Sequence, residues 1–195
     1  MNNTSWKSWA HWRRILLYFL AFSFIGHFIE MGWTLANHFI IGKDLSYNIL
    51  ANPLEPYTIY GAGAVLLILI IPPLLKKIEK SLKNVRGKKF LSVGIVFVLT
   101  TLLCAVLEYL SSIVLFWRYG YNPYWCYIDR SFNLGGHIWL GNVLLFGLIA
   151  TFFIKTLMPL CDKLLVRAKP IFLHLALVLF IAIFAYHYIF TASGF

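Results

Sequence analysis

Charged residues are scarce in this chain, and acidic residues are scarcer still. Only 12% of its 195 residues are charged, with seven Asp and Glu against 17 Lys and Arg, and 61% are hydrophobic. A soluble domain carries about 25% charged residues and about 45–50% apolar ones, and the mean hydropathy here is +0.77. The shortage of charge excludes an ordinary soluble domain and predicts an integral membrane protein.

Motifs of several functional classes are also missing. The three cysteines offer no disulfide framework, because Cys104 falls in an apolar run and Cys126 and Cys161 fall in loops predicted on opposite sides of a membrane. No segment fits G-x-x-x-x-G-K-[ST], so the chain cannot bind ATP through a P-loop, and no cofactor is predicted. The net charge of +10 does not indicate nucleic-acid binding, since no segment resembles a nucleic-acid module.

Five apolar runs are each about 20 residues long or longer, which is the length that a helix needs to cross the hydrocarbon core. The predicted fold class is therefore all-α, a polytopic membrane protein with a bundle of five transmembrane helices. It is expected to form a single integral membrane domain over residues 1–195. The predicted spans are 15–38, 57–75, 90–117, 137–158 and 171–190.

The distribution of Lys and Arg predicts the orientation of these spans. Fourteen of the 17 precede the first run, lie in the second and fourth loops, or (Lys155) lie near the end of the fourth run, and seven of them lie in 76–89. Because Lys and Arg are retained on the cytoplasmic side, we expect the N-terminus inside and the C-terminus outside. This rule accounts for the basic segment 76–89, and contact with anionic lipid headgroups or with a cytoplasmic partner is the alternative.

Two carboxylates lie within the predicted spans, at similar depth in the outer part of the bilayer. Glu30 lies roughly 24 Å along the first helix from Arg14, and Glu108 lies roughly 27 Å along the third from Phe90, at about 1.5 Å per residue. A carboxylate in hydrocarbon is costly, so each requires a partner, a proton or a water-filled cavity. Each belongs to a polar stripe that is expected to turn away from lipid. The stripes are Ser23, His27, Glu30, Thr34, Asn37 and His38, and Thr101, Cys104, Glu108, Ser111 and Ser112.

Interhelical hydrogen bonding accounts for the Ser, Thr and Cys positions of the stripes, whereas a functional cavity better explains the two glutamates. Arg118 or Arg130 could neutralise a carboxylate, and Asp129 could pair with one of the two arginines. His27 shares a helix face with one glutamate, and His137 opens the fourth helix, so a Glu/His set could hold a divalent metal. Hydrogen-bonded histidines fit this generic spacing better, and no metal site is predicted.

The segment YWCYIDRSFNLGGHIW, residues 124–139, carries more chemistry than a connection between two apolar helices requires. Its Trp and Tyr suit the headgroup level, where aromatic rings concentrate, but that preference does not explain the Asp-Arg-x-x-Asn core. Asn133 before Gly135 and Gly136 indicates a tight turn that leads into the fourth helix. We expect this outer loop to fold back as a structured lid over Glu30 and Glu108.

Four blocks of the chain, in order between residues 22 and 159, resemble the CmpB-like ABC-transporter permease family, described as type IV. The family pattern has Ile-Gly, a usual Trp and a Glu in the first helix, Pro-x-x-Ile-Tyr-Gly-x-Gly at the second, and Leu-Glu-Tyr in the third. It continues with W-D-Y-S-D-x-P-F-N-x-x-G-R in the third outer loop and a W-G pair in the next helix. The matching residues are Gly26, Glu30, Pro56, Ile59, Tyr60, Gly61, Gly63, Glu108, Tyr109, Trp125, Tyr127, Asp129, Phe132, Asn133, Gly136 and Gly147. The departures are His27 for Trp, Cys126 for Asp, Ser131 for Pro, His137 for Arg and Phe146 for Trp.

The resemblance implies a multi-pass protein of a bacterial cell membrane that works with a separate ATPase subunit, and it implies no established substrate. Five spans are few for half an exporter, so a homo- or hetero-oligomer is expected. The predicted function is that of a transport component, an ABC-type permease-like subunit that contacts membrane lipids and has an outward-facing acidic polar pocket. Residues expected to line this pocket are Glu30, Glu108, Asp129, Arg130, Asn133, Arg118, His27, His137, Tyr109, Tyr127 and Tyr60.

Two other functions stay open, so whether the chain is an enzyme is undecided. An integral membrane enzyme acting on a lipid-linked or headgroup substrate at the outer leaflet would use the two glutamates as acid and base, with Arg118 or Arg130 holding phosphate. A structural or accessory membrane subunit would need the polar stripes for stability alone. Glu30→Gln and Glu108→Gln separate the two, because only the enzyme would lose a nucleotide-independent turnover.

Overall fold

The protein is described from a computed structural model that covers residues 8–41, 55–122 and 124–191. Six α-helices and one short hairpin follow one another along these residues. The helices are α1 (Trp9–Ile41), α2 (Thr58–Ser81), α3 (Lys88–Tyr119), α4 (Leu140–Phe152), α5 (Met158–Arg167) and α6 (Pro170–Tyr186). Strands β1 (Asn133–Leu134) and β2 (Ile138–Trp139) pair antiparallel. A π-helical turn, Phe153–Leu157, joins α4 to α5, and a second one, His187–Thr191, follows α6.

Within the described residues, five helical stretches are long and apolar enough to cross a membrane. Because α4, the π-helical turn and α5 run on without a break, they count as one of the five. The stretches are Trp9–Ile40, Thr58–Ser81, Lys88–Tyr119, Leu140–Arg167 and Pro170–Ile189. The all-α class and the five spans are thereby confirmed, while the orientation of the termini and the single domain stay predictions.

The fourth span differs from the predicted one at its start. His137 does not open a helix, because Gly135 and Gly136 have φ angles of 59° and 75° and reverse the chain there. Left-handed backbone of this kind is readily adopted by glycine. The residues that follow pair with β1 before α4 begins at Leu140. The predicted turn therefore exists as the turn of the hairpin, and β2 lies between it and α4.

The chain divides into two compact units, Met1–Val65 with Leu164–Phe195, and Leu66–Lys163. In the first unit α1 packs on α6 through a core of Leu17, Leu20, Leu173 and Leu177. The first turn of α2 also lies directly against α1. A methyl group at Gly61 would overlap the Ser23 hydroxyl, so this glycine permits the close approach that its sequence context predicted.

In the second unit α3 packs on α4 through buried threonines and a glycine. Thr100 Oγ1 donates to the Gly147 carbonyl at 3.1 Å and lies 3.0 Å from Thr151 Oγ1. Thr151 Oγ1 donates to the same carbonyl at 2.7 Å. Without a hydrophobic driving force between helices in lipid, small residues and such hydrogen bonds hold membrane helices together.

Candidate functional site

A buried carboxylate lies at the centre of the candidate site in the second unit. Glu108, in the C-terminal half of α3, is 7% exposed. Its Oε1 atom accepts a hydrogen bond from Asn142 Nδ2 at 2.7 Å and another from the Tyr127 hydroxyl at 3.1 Å. Asn142 comes from α4 and Tyr127 from the segment 124–139, which we call the cap. One side chain therefore links two helices and the cap.

The cap is held in shape by Asn133. Its Nδ2 atom donates to the carbonyls of Arg130 and Ile128 at 2.6 and 3.2 Å, and its Oδ1 accepts from the Gly136 N–H at 2.8 Å. The backbone N–H of Tyr127 in turn donates to the Gly136 carbonyl at 3.0 Å. Asn133 therefore organises the turn that presents Tyr127 to Glu108, as a structured loop requires.

A second polar contact fixes the cap to the end of α3. His137 Nδ1 lies 2.9 Å from the hydroxyl of buried Ser112, which also accepts from Asn122 Nδ2 at 3.0 Å. The His137 carbonyl accepts from Trp125 Nε1 at 3.0 Å. Tyr109 contacts the His137 ring edge-on, with ring centroids 5.5 Å apart. His137 is thus a hydrogen-bonded histidine that anchors the cap.

The charged residues predicted for this site lie on its exposed side. The guanidinium of Arg118 lies over the Tyr119 ring at 5.1 Å, and that of Arg130 lies over the Trp139 ring at 5.3 Å. Asp129 is exposed, and no salt bridge joins it to either arginine in the part of the chain that the structure describes. Both guanidinium groups thus contact aromatic faces.

The first unit holds the other glutamate. Glu30, half-buried on α1, accepts a hydrogen bond from the hydroxyl of Tyr60 on α2. The Tyr60 ring packs directly over Gly26, so the two helices are close at this level. Glu30 and Glu108 belong to different compact units, and a pocket lined by both stays a prediction.

Of the polar stripe on α1, Ser23 and His27 are fully buried, and the side chain of Asn37 lies outside the described residues. His27 packs edge-on against Tyr57, with ring centroids 5.0 Å apart. Within the described residues neither of its ring nitrogens has a hydrogen-bond partner. This differs from the expected hydrogen-bonded histidine, and it leaves a polar group buried at a cost to stability.

We therefore expect His27→Leu to leave the thermal stability unchanged or to raise it. Unpartnered buried polar atoms cost about 1–3 kcal/mol, and an apolar side chain of similar size removes that cost. The measurement is the midpoint of thermal unfolding in detergent, with His38→Leu, a half-buried histidine on the same helix, as the control. A marked fall in the midpoint for His27→Leu alone would mean that the imidazole has a stabilising partner.

Two residues of the site were missed from the sequence. Asn142 donates a hydrogen bond directly to Glu108. Asn122 Oδ1 accepts hydrogen bonds from the backbone N–H groups of Tyr124 and Trp125, at the start of the cap, at 3.0 and 3.2 Å. The available signal for Asn142 was an amide within an otherwise apolar span, because such a group requires a partner in the membrane. Among the described residues no three His, Cys, Asp or Glu residues form a group that could hold a metal ion.

The comparisons with known proteins agree with the motif analysis. The family model ABC_trans_CmpB, described as "Putative ABC-transporter type IV", matches residues 17–192. No curated protein and no solved structure matches the chain. The match includes both glutamates and the whole cap, and it confirms the family resemblance that the motifs predicted.

Proposed function

We propose that this chain, which belongs to the ABC_trans_CmpB family, is the membrane-embedded subunit of a transporter whose ATPase is a separate polypeptide. Five helical stretches suited to crossing a membrane support the first part of this proposal. The chain has no P-loop motif, so the energy of ATP must come from a partner. Five spans per chain also favour assembly with further copies or with other membrane subunits.

The observation that carries the proposal is the hydrogen bond from Tyr127 to buried Glu108. An ionisable group inside a membrane helix is expensive and is by default a candidate functional group. Its partner Tyr127 lies on the cap, so a movement of the cap would break the Tyr127–Glu108 hydrogen bond and expose the carboxylate to solvent. A buried acid whose partner lies on a cap suits a site that alternates between closed and open states.

The bias of Lys and Arg places the cap on the outer face of a cell membrane. In this orientation Glu108 belongs to an outward-facing acidic pocket, with Tyr127, Asn142 and the anchoring His137 around it. We assign Glu30 and Tyr60 of the first unit to the same function, as a second carboxylate with a tyrosine partner. Such groups suit a substrate that carries a cationic or hydrogen-bonding moiety.

The test is to purify the chain in mild detergent together with any ATPase that is encoded beside its gene. We expect a stable complex whose ATPase activity rises when the two subunits are reconstituted in one membrane. The control is the same ATPase reconstituted without this chain. If the two proteins never co-purify and deletion of the gene leaves transport across the membrane unchanged, the proposal is wrong.

A further inference from the structure

A groove of about 510 Å³ runs along the surface of the α3–α4 pair, at the end that carries the basic segment. On α3 it is lined by Phe90, Val93, Gly94 and Phe97, whose spacing puts them on one helix face. On α4 its walls include Phe152 and Leu148. From Phe90 to Phe97 the helix rises about 10 Å, at about 1.5 Å per residue, which is the length of several methylene groups.

The floor of the groove is open at Gly94. A Cβ atom placed there would meet no atom within 4 Å. Phe90, Leu148 and Phe152 on its walls are 87%, 58% and 55% exposed. In a helix suited to a membrane, an exposed apolar groove of this kind is filled by hydrocarbon, either an acyl chain or another helix.

Lys155 lies at one end of the groove, where hydrogen bonds fix the position of its ammonium group. Its Nζ atom donates to Ser92 Oγ at 2.7 Å and to Glu79 Oε1 at 3.3 Å, and Ser92 Oγ donates to the same carboxylate oxygen at 2.7 Å. An ammonium group carries three N–H donors, and these contacts use two. Lys155 also lies in the π-helical turn Phe153–Leu157, and such turns occur frequently at functional sites.

Further positive charge surrounds the same end. Lys88 and Lys89, both exposed, begin α3 directly before Phe90. Together with Lys155 they present three ammonium groups against the single carboxylate of Glu79. A ligand that fits must therefore combine an anionic head with an apolar tail, and its phosphate can accept the third donor of Lys155.

We propose that this groove is a binding site for an anionic phospholipid. One acyl chain lies along Gly94 between α3 and α4, and the phosphate lies beside Lys155 and Lys89. Anionic lipids of the cytoplasmic leaflet are attracted to basic segments next to membrane helices. The groove adds a defined binding position for one lipid molecule.

The test uses the purified full chain in nanodiscs of equimolar phosphatidylglycerol and phosphatidylcholine, followed by native mass spectrometry of the lipids that stay bound after delipidation. We expect the wild type to retain phosphatidylglycerol over phosphatidylcholine by at least about tenfold. Both lipids carry the phosphate, but the choline ammonium of phosphatidylcholine is repelled by Lys155, Lys88 and Lys89. Gly94→Trp fills the groove and should abolish retention. Lys155→Gln should keep an acyl chain bound but lower the preference for the anionic lipid, because Lys88 and Lys89 remain.

Two matched variants control these results. Leu102→Trp adds the same ring at an exposed position of α3 outside the groove, and Lys163→Gln removes an exposed positive charge elsewhere in the second unit. Both should retain phosphatidylglycerol as the wild type does, and circular dichroism should show all four variants equally helical. Equal retention of the two lipids by the wild type overturns the proposal. Dimers that form on delipidation and are lost in Gly94→Trp also overturn it, because they assign the groove to a second copy of the chain.

Discussion

Glu108→Leu is expected to lower the free energy of unfolding by about 2–4 kcal/mol, whereas Glu108→Gln is expected to leave it within about 1 kcal/mol and to abolish transport. Leucine removes the acceptor of two hydrogen bonds from half-buried donors, and the loss of hydrogen bonds to a charged group costs about 1.5–3 kcal/mol each. Glutamine keeps an oxygen for Tyr127 and Asn142 but cannot carry the charge. The measurements are thermal unfolding in detergent and ATP-driven transport in proteoliposomes.

Asp129→Leu is the matched control, because Asp129 is an exposed carboxylate of the cap. Its loss should change the free energy of unfolding by no more than about 0.5 kcal/mol. Full transport by Glu108→Gln would assign the carboxylate a purely structural role, as in an accessory subunit. A turnover that needs no nucleotide and disappears in Glu108→Gln would instead favour the membrane enzyme.

The burial of Glu108 could be predicted from the sequence, but the identity of its partner could not. An acid inside an apolar span must be buried, so its burial on α3 followed from hydropathy and helical period alone. Tyr127 was a candidate because it lies in a loop rich in turn residues. Which of several tyrosines reaches the carboxylate depends on the fold of the cap, and the hairpin between β1 and β2 was not foreseen. Two-residue strands are too short to give an alternating pattern.

The two histidines predicted beside the glutamates show a second limit. His137 is hydrogen-bonded to Ser112, whereas His27 packs among aromatic rings with no partner among the described residues. Both had been expected to be hydrogen-bonded. Periodicity tells which face of a helix a residue occupies, but it does not tell which neighbours reach that face from other elements.

α3 and α4 approach each other closely at Gly147. A methyl group there would overlap the hydroxyl of Thr101 and lie 2.9 Å from its Cβ and 3.1 Å from its Cα. The backbone of α3 is therefore too close for any side chain at this position. Gly94 on α3 is the natural comparison, because a methyl group there would contact nothing.

We expect Gly147→Ala to lower the free energy of unfolding by about 2–3 kcal/mol, since overpacking forces the two helices apart. Gly94→Ala should instead raise it by about 0.5–1 kcal/mol, because alanine restricts the unfolded chain and favours helix. The measurement is thermal unfolding of both variants in the same detergent. Thr101→Ala removes the overlapping hydroxyl, so the double variant Thr101→Ala/Gly147→Ala should regain part of the loss. Equal stabilities for Gly147→Ala and Gly94→Ala would mean that α3 and α4 do not pack through Gly147.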